Sequence, residues 1–381
     1  MKIGIDVSSL VYQRGVSRYT SDLVRALAME KDTQLYLYGS SLRQQKLLRQ
    51  ELRHTLRNVV SDRYQLKLQS WPPSLLAALW RLGLNPIRQQ LPGIEVFHSW
   101  DWLQPPDRNL PLVSTIHDLA IIRYPQVAHP LVLKRHQASW KSLRERKAQI
   151  IAVSEATKRD ILRYLEIPEK HVTVVHEALP TRVAEISREL GNRGELVQSI
   201  RQRLKLDRPY LFFVGTREPR KNLERLIRAW LPLAKDYQLI IAGEESWDAS
   251  AKISSDPNLR FMGRVSDLEL AVLYHHSELF VYPSLYEGFG LPILEAFAHG
   301  VPVVAADIPA IREVAGNAAE LVNPEDETTI RQGIEKVLTE KKADGDARLQ
   351  KMIIRLQLFN WQKTARQTLD VYRRAIEDFG A

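Results

Sequence analysis

Short apolar segments rich in β-branched and aromatic residues recur along the chain, and most are followed by a turn and an amphipathic stretch. Segments of this kind are typical of buried parallel strands, and the stretches between them are typical of helices that cross over a sheet. The predicted strands are residues 2–7, 33–38, 95–98, 112–116, 150–153, 172–175, 211–214, 237–242, 259–265, 279–283 and 301–306. The pattern therefore predicts an α/β protein with parallel sheets.

Residues 278–306 form the clearest strand–loop–helix–strand unit of the chain. Pro292 is placed at the start of the predicted helix and Gly300 just past its end, the usual positions of these two residue types. A glycine-rich turn, residues 287–290, precedes the helix. Its backbone N–H groups and the positive end of the helix dipole would point to one place, where an anion such as phosphate can bind.

Two acids frame this predicted anion site. Glu287 precedes the glycines, and Glu295 follows eight residues later, in the predicted first turn of the helix. Carboxylates accept hydrogen bonds from hydroxyl groups. A phosphate site framed by acids therefore suits a ligand that carries both phosphates and sugar hydroxyls, as a nucleotide sugar does.

Two other loops carry candidate chemistry. His117 follows a predicted buried strand, at the carboxyl end where ligands of open α/β sheets bind. The loop after strand 211–214 contains Arg217, Arg220 and Lys221. Since Arg makes forked contacts with phosphate and Lys supplies a point charge, this loop is a second candidate for binding a diphosphate.

The length of 381 residues suggests two domains, each large enough for its own core. The chain has no cysteine, which excludes disulfides and thiolate metal sites. No run of about 18 apolar residues predicts a membrane span, and the N-terminus enters a strand directly, without a signal-peptide pattern. We therefore expect a cytoplasmic protein.

The positive charge lies in the first half of the chain. Residues 1–180 hold 26 Lys and Arg against 16 Asp and Glu, whereas the remainder holds 28 against 29. Such an excess suits nucleic acid, an anionic membrane or acidic small ligands. No zinc-finger, RNA-recognition or helix-turn-helix signature supports nucleic acid, so we expect no nucleic-acid partner.

The basic residues 42–67 and the apolar, tryptophan-bearing stretch 71–91 have two interpretations. They form a solvated helix followed by a core helix, or they form a surface that docks on an anionic membrane to reach a lipid-linked acceptor. In the second case the protein would be peripheral at the inner face of a membrane.

The motif EGFGLPILEAFAHGVPVVAAD, in which seven residues separate Glu287 from Glu295, resembles the donor site of retaining glycosyltransferases with the GT-B fold, in particular glycosyltransferase family four. TIHDL around His117 and the loop GTREPRKN are similar to other motifs of that family. The loop resembles that of members that use GDP-mannose, although UDP- and dTDP-sugars suit the same chemistry. The resemblance covers essentially the whole chain, most strongly 208–325 and least 40–95.

The resemblance implies GT-B architecture, with two doubly wound Rossmann-like domains facing each other across a cleft. Residues 1–180 would form the N-terminal, acceptor-side domain, and residues 181–360 the C-terminal domain that binds the nucleotide sugar. The last helix, 361–381, would return to the N-terminal domain.

The resemblance also implies roles for individual residues. The family places the equivalent of Glu287 near the transferred sugar, that of Glu295 on the ribose hydroxyls, and that of His117 at the reaction centre. Lys221 falls on a family lysine that offsets the charge of the diphosphate. The implied catalytic residues are therefore His117, Lys221 and Glu287.

The family arginine that accompanies this lysine usually stands where the chain has Thr216, so Arg217 or Arg220 would substitute for it. Gly15 matches the location of the family's first-loop glycine, and Val265 that of the residue that meets the nucleobase. The implied donor-binding residues are Gly15, Arg217, Arg220, Lys221, Val265, Glu287, Gly288, Phe289, Gly290, Leu291 and Glu295.

The activity that follows from the resemblance is transfer of a hexose, with mannose favoured, from a nucleotide-diphosphate sugar to a hydroxyl of a glycan or lipid-linked acceptor. The family transfers with retention of configuration, and GT-B enzymes generally need no metal and no cofactor. Two alternatives are a nucleotide-sugar epimerase of the same fold and a non-catalytic nucleotide-sugar-binding protein. Formation of product without an acceptor would indicate the epimerase.

Overall fold

The computed structural model describes residues 1–12, 15–244 and 256–380, and the chain divides into two compact units. Unit 1 comprises residues 1–177 and the C-terminal residues from 360 onward, and unit 2 comprises residues 178–359. Each unit contains one parallel sheet covered by helices. This confirms the predicted fold class, two doubly wound α/β sheets.

Unit 1 consists of seven strands and eight α-helices in its described part. Its strands are β1 (Lys2–Asp6), β2 (Gln34–Ser40), β3 (Tyr64–Gln69), β4 (Val96–Trp100), β5 (Leu112–Ile116), β6 (Gln149–Ala152) and β7 (Val172–Val174). Its helices are α1 (Gly15–Met29), α2 (Gln45–Thr55), α3 (Pro73–Arg81), α4 (Ile87–Gln90), α5 (Ala120–Arg123), α6 (Pro130–Glu145), α7 (Glu155–Leu165) and, at the end of the chain, α16 (Trp361–Gly380). A 3₁₀ helix, Ser8–Tyr12, follows β1.

The sheet of unit 1 has the order β3-β2-β1-β4-β5-β6-β7, with all strands parallel. The strand order reverses between β1 and β4, where Ile5 lies beside His98. In open α/β sheets such a reversal leaves a crevice at the carboxyl ends of the two strands, and ligands bind in it.

The last helix belongs to the core of unit 1. Leu369, Tyr372 and Ala375 of α16 are buried in one apolar cluster with Leu23 of α1 and Val113 of β5. This burial removes a continuous apolar stripe of the amphipathic helix from water, which stabilises the unit at roughly 25 cal/mol for each Å² covered.

Unit 2 is built in the same way. Its strands are β8 (Tyr210–Val214), β9 (Gln238–Ala242), β10 (Leu259–Gly263), β11 (Leu279–Tyr282), β12 (Val303–Ala306) and β13 (Glu320–Val322). Its α-helices are α8 (Thr181–Glu189), α9 (Gly194–Arg203), α10 (Leu223–Trp230), α11 (Asp267–His275), α12 (Leu291–Ala298), α13 (Pro309–Ala315), α14 (Glu327–Leu338) and α15 (Lys342–Leu358). The parallel sheet has the order β10-β9-β8-β11-β12-β13, and the order reverses between β8 and β11.

Several predicted boundaries were wrong. Gly15 is the first residue of helix α1 and not part of a loop. Strand β3 was not predicted, because it lies at the sheet edge, none of its residues is buried and it lacks an apolar run. Glu295 is the fifth residue of α12, so it lies in the second helical turn and not in the first.

No helix in the described part of the chain is long and apolar enough to cross a membrane.

Candidate functional site

In unit 2 the strand order reverses between β8 and β11, and we call this position the switch point of the sheet. The loops that follow these two strands meet there. Nζ of Lys221 donates to Oε1 of Glu287 at 2.6 Å and to the hydroxyl of Tyr282 at 2.9 Å. Both the lysine and the glutamate are more than nine-tenths buried. The structure thus brings together Lys221 and Glu287, two residues that the sequence predicted to act at one site.

Arg220 completes this buried charge cluster. Its guanidinium contacts Oε2 of Glu287 at 3.2 Å and Oε1 of Glu218 at 2.6 Å, and it donates to the carbonyl oxygen of Tyr286 at 3.2 Å. The backbone N–H of Leu285 donates in turn to the carbonyl oxygen of Arg220 at 2.7 Å. Arg220 therefore ties the basic loop to the glycine-rich loop through both its side chain and its backbone.

The charged side chains of this cluster shift one another's pKa. Burial works to raise the pKa of Glu287, but Lys221 and Arg220 outweigh it and lower that pKa to about 2. Burial lowers the pKa of Lys221, and Glu287 acts against that decrease. Glu287 is consequently a carboxylate at neutral pH, and it lies between two cations.

Asn222 holds three strand-end loops together. Its backbone is left-handed, with φ of 61°, and its Nδ2 donates to the carbonyl oxygens of Pro283 at 3.0 Å and of Pro324 at 2.6 Å. These carbonyls belong to the loops that follow β11 and β13. The side chain is buried, so Asn222, the residue after Lys221, links the basic loop to these two loops. We call this set of hydrogen bonds the Asn222 brace.

A close backbone approach explains one glycine of the site. A Cβ at Gly243, whose φ is 134°, would lie 2.0 Å from the carbonyl oxygen of Gly215. Any side chain there would push the loop after β9 away from the loop after β8. The glycine at 243 therefore keeps the basic loop in place.

The glycine-rich turn leads directly into α12. Gly290 precedes the helix with φ of 121°, a conformation that favours glycine. The ring of Phe289 is buried and packs edge-on against Phe359 at 5.5 Å, so this side chain anchors the turn. Leu291 is the first residue of the helix.

Glu295 is buried within the second turn of α12, and its Oε2 accepts from the hydroxyl of Tyr274 at 3.1 Å. A carboxylate in this position is not explained by the dipole at the helix start, which acts within the first turn. Glu295 is therefore a buried carboxylate held by the Tyr274 hydroxyl, as expected of a residue that binds a polar ligand.

The two candidate arginines differ in their surroundings. Arg220 contacts two carboxylates, whereas the guanidinium of Arg217 lies 4.1 Å from the centre of the Phe261 ring, in β10. The backbone N–H of Arg217 donates to the carbonyl oxygen of Glu244. Thr216, at the family arginine position, is exposed.

Val265 is half-buried between β10 and the N-cap of α11. Gly15 lies in unit 1 at the start of α1, and a Cβ there would meet no atom within 4 Å. The described contacts therefore do not require a glycine at position 15.

His117 lies in unit 1, at the carboxyl end of β5. Its Nδ1 is 2.6 Å from Oε1 of the buried Glu177, and the ring of Tyr19 packs edge-on against the imidazole at 4.7 Å. Asp118 is a loop cap, because its Oδ1 accepts from the backbone N–H of Ala120 at 2.8 Å. Glu177, and not the neighbouring Asp118, is therefore the carboxylate that contacts the imidazole.

A buried chain of hydrogen bonds runs beneath His117. His98 contacts the hydroxyl of Tyr372 at 2.7 Å and that of Thr115 at 3.0 Å, and Thr115 contacts Tyr19 at 3.0 Å. Burial lowers the pKa of His98 to about 3, so the imidazole is neutral. These residues and Glu177 were missed from the sequence, because each resembles an ordinary core position when its partner is unknown.

The described residues contain no group of three or more His, Cys, Asp or Glu side chains that could bind a metal ion. The sequence holds one Asp-x-Asp triplet, Asp344-Gly345-Asp346. Both aspartates are exposed in the N-terminal part of α15. The triplet therefore does not follow a strand of the unit 2 sheet, where Lys221 and Glu287 lie.

The two doubly wound units, one of which has a basic loop and a carboxylate-framed glycine turn at its switch point, have the GT-B architecture that the sequence motifs implied. Residues 13–183 match the model described as Glycosyltransferase Family 4, and residues 197–353 match that of Glycosyl transferases group 1. Together the two matches span most of the chain, which is therefore a glycosyltransferase with a Family 4 region followed by a group 1 region.

Known proteins agree with this assignment. The chain is 28% identical over 378 residues to O-antigen chain mannosyltransferase B of Escherichia coli, covering 94% of this chain and 96% of that protein. It is 30% identical to the serotype-specific mannosyltransferase WbdA of Escherichia coli over 61% of its length, but spans only 29% of that longer protein. The crystal structure of Anabaena Alr3699/HepE in complex with UDP and glucose shares the fold, with a TM-score of 0.67, 15% identity and coverage of 98% of this chain and 100% of that one.

Proposed function

We propose that the protein transfers a mannose-like hexose from a nucleoside-diphosphate sugar, with GDP-mannose favoured, to a hydroxyl group of a glycan or lipid-linked acceptor, with retention of configuration and without a metal ion. The observation that carries this proposal is the buried cluster of Lys221, Arg220 and Glu287 at the switch point of unit 2. Cations suit the diphosphate of the donor, and a carboxylate suits the hydroxyls of its sugar.

The reaction breaks the bond between the anomeric carbon and the diphosphate oxygen, and it forms a bond from that carbon to the acceptor oxygen on the same face. The acceptor hydroxyl gives up its proton, and the nucleoside diphosphate leaves with the electron pair. Negative charge therefore grows on the diphosphate. Lys221 and one of the arginines, Arg217 or Arg220, would stabilise it, because preorganised charges in a dry site act strongly on a developing anion.

The other proposed roles follow the family. Glu287 would contact the transferred sugar, and Glu295 the ribose hydroxyls. Val265 and the turn formed by Gly288, Phe289, Gly290 and Leu291 would contact the nucleotide through backbone groups. His117 and Gly15 of unit 1 would contribute to the reaction centre and to donor binding.

Mannose is favoured as the transferred sugar for two reasons. The loop GTREPRKN is similar to that of family members using GDP-mannose. The two Escherichia coli relatives are also named as mannosyltransferases.

The decisive experiment is a donor screen with purified protein. GDP-mannose, UDP-glucose and dTDP-sugars are each incubated with the protein with and without EDTA, and release of nucleoside diphosphate is measured with and without an O-antigen glycan acceptor. We expect acceptor-dependent release from GDP-mannose that EDTA does not reduce, and an α-linked product. Absence of any glycoside product would overturn the proposal, and conversion of the donor to an epimer without acceptor would identify an epimerase.

The basic surface of unit 1 supports peripheral binding to an anionic membrane. Lys46, Arg49, Arg53 and Arg57 are exposed on or just after α2. The segment that follows exposes the large apolar side chains Leu66, Trp71, Leu75, Leu82 and Leu84. Basic residues beside exposed aromatic and aliphatic ones are typical of surfaces that dock on anionic lipid. Leu76 and Trp80 of α3 are instead buried in the core, so only part of this stretch is available.

A charge reversal tests the membrane surface. Vesicles containing anionic phosphatidylglycerol should bind the wild-type protein in low salt, and Arg49→Glu with Arg53→Glu and Arg57→Glu should abolish binding. The matched control is Lys341→Glu with Lys342→Glu and Lys351→Glu, an equal change in charge at exposed positions of unit 2. Equal binding by wild type and the unit 1 variant would contradict the membrane proposal but not the transfer activity.

A further inference from the structure

Two aromatic residues of unit 2, Tyr274 and His299, hold Glu295 in place. Tyr274 lies in α11, and His299 directly follows α12. The hydroxyl of Tyr274 donates to Oε2 of Glu295 at 3.1 Å and lies 3.3 Å from the carbonyl oxygen of Pro292, near the start of α12. Nδ1 of His299 is 2.7 Å from the backbone carbonyl oxygen of Glu295. The glutamate is therefore contacted through both its side chain and its backbone.

The contact of His299 follows from the way α12 ends. The backbone N–H of His299 donates to the carbonyl oxygen of Ala296 at 3.1 Å, three residues back instead of the four of an α-helix. The carbonyl of Glu295, four residues back, receives the ring N–H. Since a carbonyl oxygen only accepts, Nδ1 carries the proton. Burial lowers the pKa of His299, which keeps the imidazole neutral with this N–H in place.

The ring of Tyr274 is fixed by three other rings. The His299 ring stacks on it with centres 5.4 Å apart and planes 13° apart. Phe212 contacts it edge-on at 5.0 Å, and Phe280 lies 5.2 Å away. Phe212 of β8 and Phe280 of β11 are paired in the two strands that flank the switch point. Because closely packed rings leave little freedom to a side chain, the core of unit 2 sets where the Tyr274 hydroxyl holds the Glu295 carboxylate.

A carboxylate held in this way can recognise hydroxyl groups sharply. It accepts about four hydrogen bonds through its two oxygens, whereas a tyrosine hydroxyl donates one. Tyr274 therefore orients Glu295 through one of these positions and adds no charge. A ribose offers two neighbouring hydroxyls to such a carboxylate, and a 2′-deoxyribose offers one fewer. A fixed, buried acceptor penalises the missing donor strongly, because it cannot turn to find a replacement.

We infer that Tyr274 and His299 are positioning residues that hold Glu295 so that the site selects donors with a ribose over donors with a 2′-deoxyribose. This inference rests on the proposed function, in which Glu295 contacts the ribose hydroxyls. It deepens that function in two ways. It gives a role to two residues that the sequence motifs left without one, and it disfavours dTDP-sugars as donors.

The test uses two pairs of nucleotides that differ in one hydroxyl. Titration calorimetry with the full-length protein compares GDP with 2′-deoxy-GDP and UDP with 2′-deoxy-UDP. For the base that the wild type binds, we expect the ribonucleotide to bind about tenfold more tightly or better. Tyr274→Phe keeps the ring and loses the hydroxyl, so the ratio of the two Kd values should fall to about threefold or less. His299→Phe keeps a ring against Tyr274 and loses Nδ1, so its ratio should lie between these values.

Tyr210→Phe is the matched control for the loss of a buried hydroxyl. Tyr210 is buried in β8, and its hydroxyl donates to the backbone carbonyl oxygen of Leu273 at 2.8 Å. This variant should lose a similar amount of stability in urea and keep the wild-type ratio. A merely structural role of Tyr274 would give the same result in both variants, whereas a positioning role changes the ratio in Tyr274→Phe alone.

The possible outcomes separate the inference from the proposed function. Equal ratios in wild type and Tyr274→Phe, or a wild type that binds both members of each pair equally, would overturn the inference and leave mannose transfer untouched. A ratio that falls as expected, in a protein that transfers no sugar from GDP-mannose, would overturn the proposed function and support the positioning role. A protein that binds none of the four nucleotides would contradict both.

Discussion

Oε1 of Glu177 lies 2.6 Å from Nδ1 of His117, although 60 residues separate the two in the chain. Burial works to lower the pKa of His117, but the hydrogen bond and charge of Glu177, together with Asp101 and Asp118, raise it above its ordinary value. A carboxylate at Nδ1 also fixes the ring orientation and favours a proton on that nitrogen. Glu177 is therefore a positioning residue for His117.

Glu177→Gln removes the charge and keeps the shape. The pKa of His117 should fall, because burial remains while the main opposing charge is lost. Transfer should slow by roughly ten- to a hundredfold, as activity does when the outer partner of a metal-bound imidazole is removed. A long-range ¹H–¹⁵N NMR titration reports both the pKa and the tautomer, and a coupled assay reports the rate.

Glu169→Gln provides the control for this change, since Glu169 forms an exposed ion pair with Lys158 in the same unit. It should alter neither the titration of His117 nor the rate. An unchanged His117 titration in Glu177→Gln would show that the carboxylate does not act through the imidazole.

Much of the fold could be predicted from sequence, because both sheets are parallel and buried. Their strands include apolar runs such as Leu279–Tyr282, which lies within the predicted strand 279–283. Ser154 belongs to a residue type that is favoured at helix N-caps, and its hydroxyl accepts from the backbone N–H of Thr157 at the start of α7. Strand β3 has no apolar run of its own. It is a strand because it pairs with β2, and this pairing cannot be read from the sequence of β3.

The candidate site was predictable only where residues are close in sequence or match a family motif. Lys221, Glu287 and His117 were singled out in this way, and the structure places the first two in contact. Glu177 was not, because its partner is 60 residues distant. The contact between Arg220 and Glu287 could not be foreseen either, since it depends on how two loops after different strands meet.

The neutral His98 predicts a loss of stability in mild acid. In the unfolded chain this histidine takes up a proton near pH 6.5, whereas in the folded protein it does so only near pH 3. The unfolded state therefore binds more protons between these values, and the stabilising contribution of His98 is lost as pH falls through this window. Its contribution should fall by on the order of 2 kcal/mol between pH 8 and pH 5.

Urea unfolding at pH 8 and pH 5 tests this prediction by comparing wild type with His98→Gln. Asp6 acts in the opposite direction, because burial raises its pKa to about 6, so that it favours the folded state as pH falls. Only the difference between the two proteins isolates His98. The wild type should lose more stability on acidification than the variant, and equal losses would contradict a neutral His98.

Glu287→Gln should weaken both the stability of unit 2 and its activity. The variant leaves Lys221 and Arg220 buried without their shared counter-charge, and breaking a buried ion pair on one side costs about 3 kcal/mol. It also removes the carboxylate proposed to contact the sugar, so transfer should fall by about a hundredfold or more. Urea unfolding and initial rates at saturating donor measure the two effects.

The surface pair of Glu327 with Arg228 gives a matched comparison, since both side chains are about half exposed. Glu327→Gln should cost less than about 1 kcal/mol and leave the rate unchanged. Transfer by Glu287→Gln at the wild-type rate would remove this carboxylate from the mechanism.

Replacing Asn222 tests whether the braced loops are needed to hold the donor. Asn222→Gly accepts the left-handed backbone but loses the hydrogen bonds to Pro283 and Pro324, at about 1 kcal/mol each. Asn222→Asp keeps the shape but places a carboxylate against two carbonyl oxygens, so it should be the more destabilised of the two. In both variants Lys221 loses its fixed position, and we expect KM for the donor to rise at least severalfold while the secondary structure seen by circular dichroism is retained. Donor binding by Asn222→Gly that is as tight as in the wild type would show that the Asn222 hydrogen bonds matter for folding alone. Lys221 would then be held by its contacts with Tyr282 and Glu287.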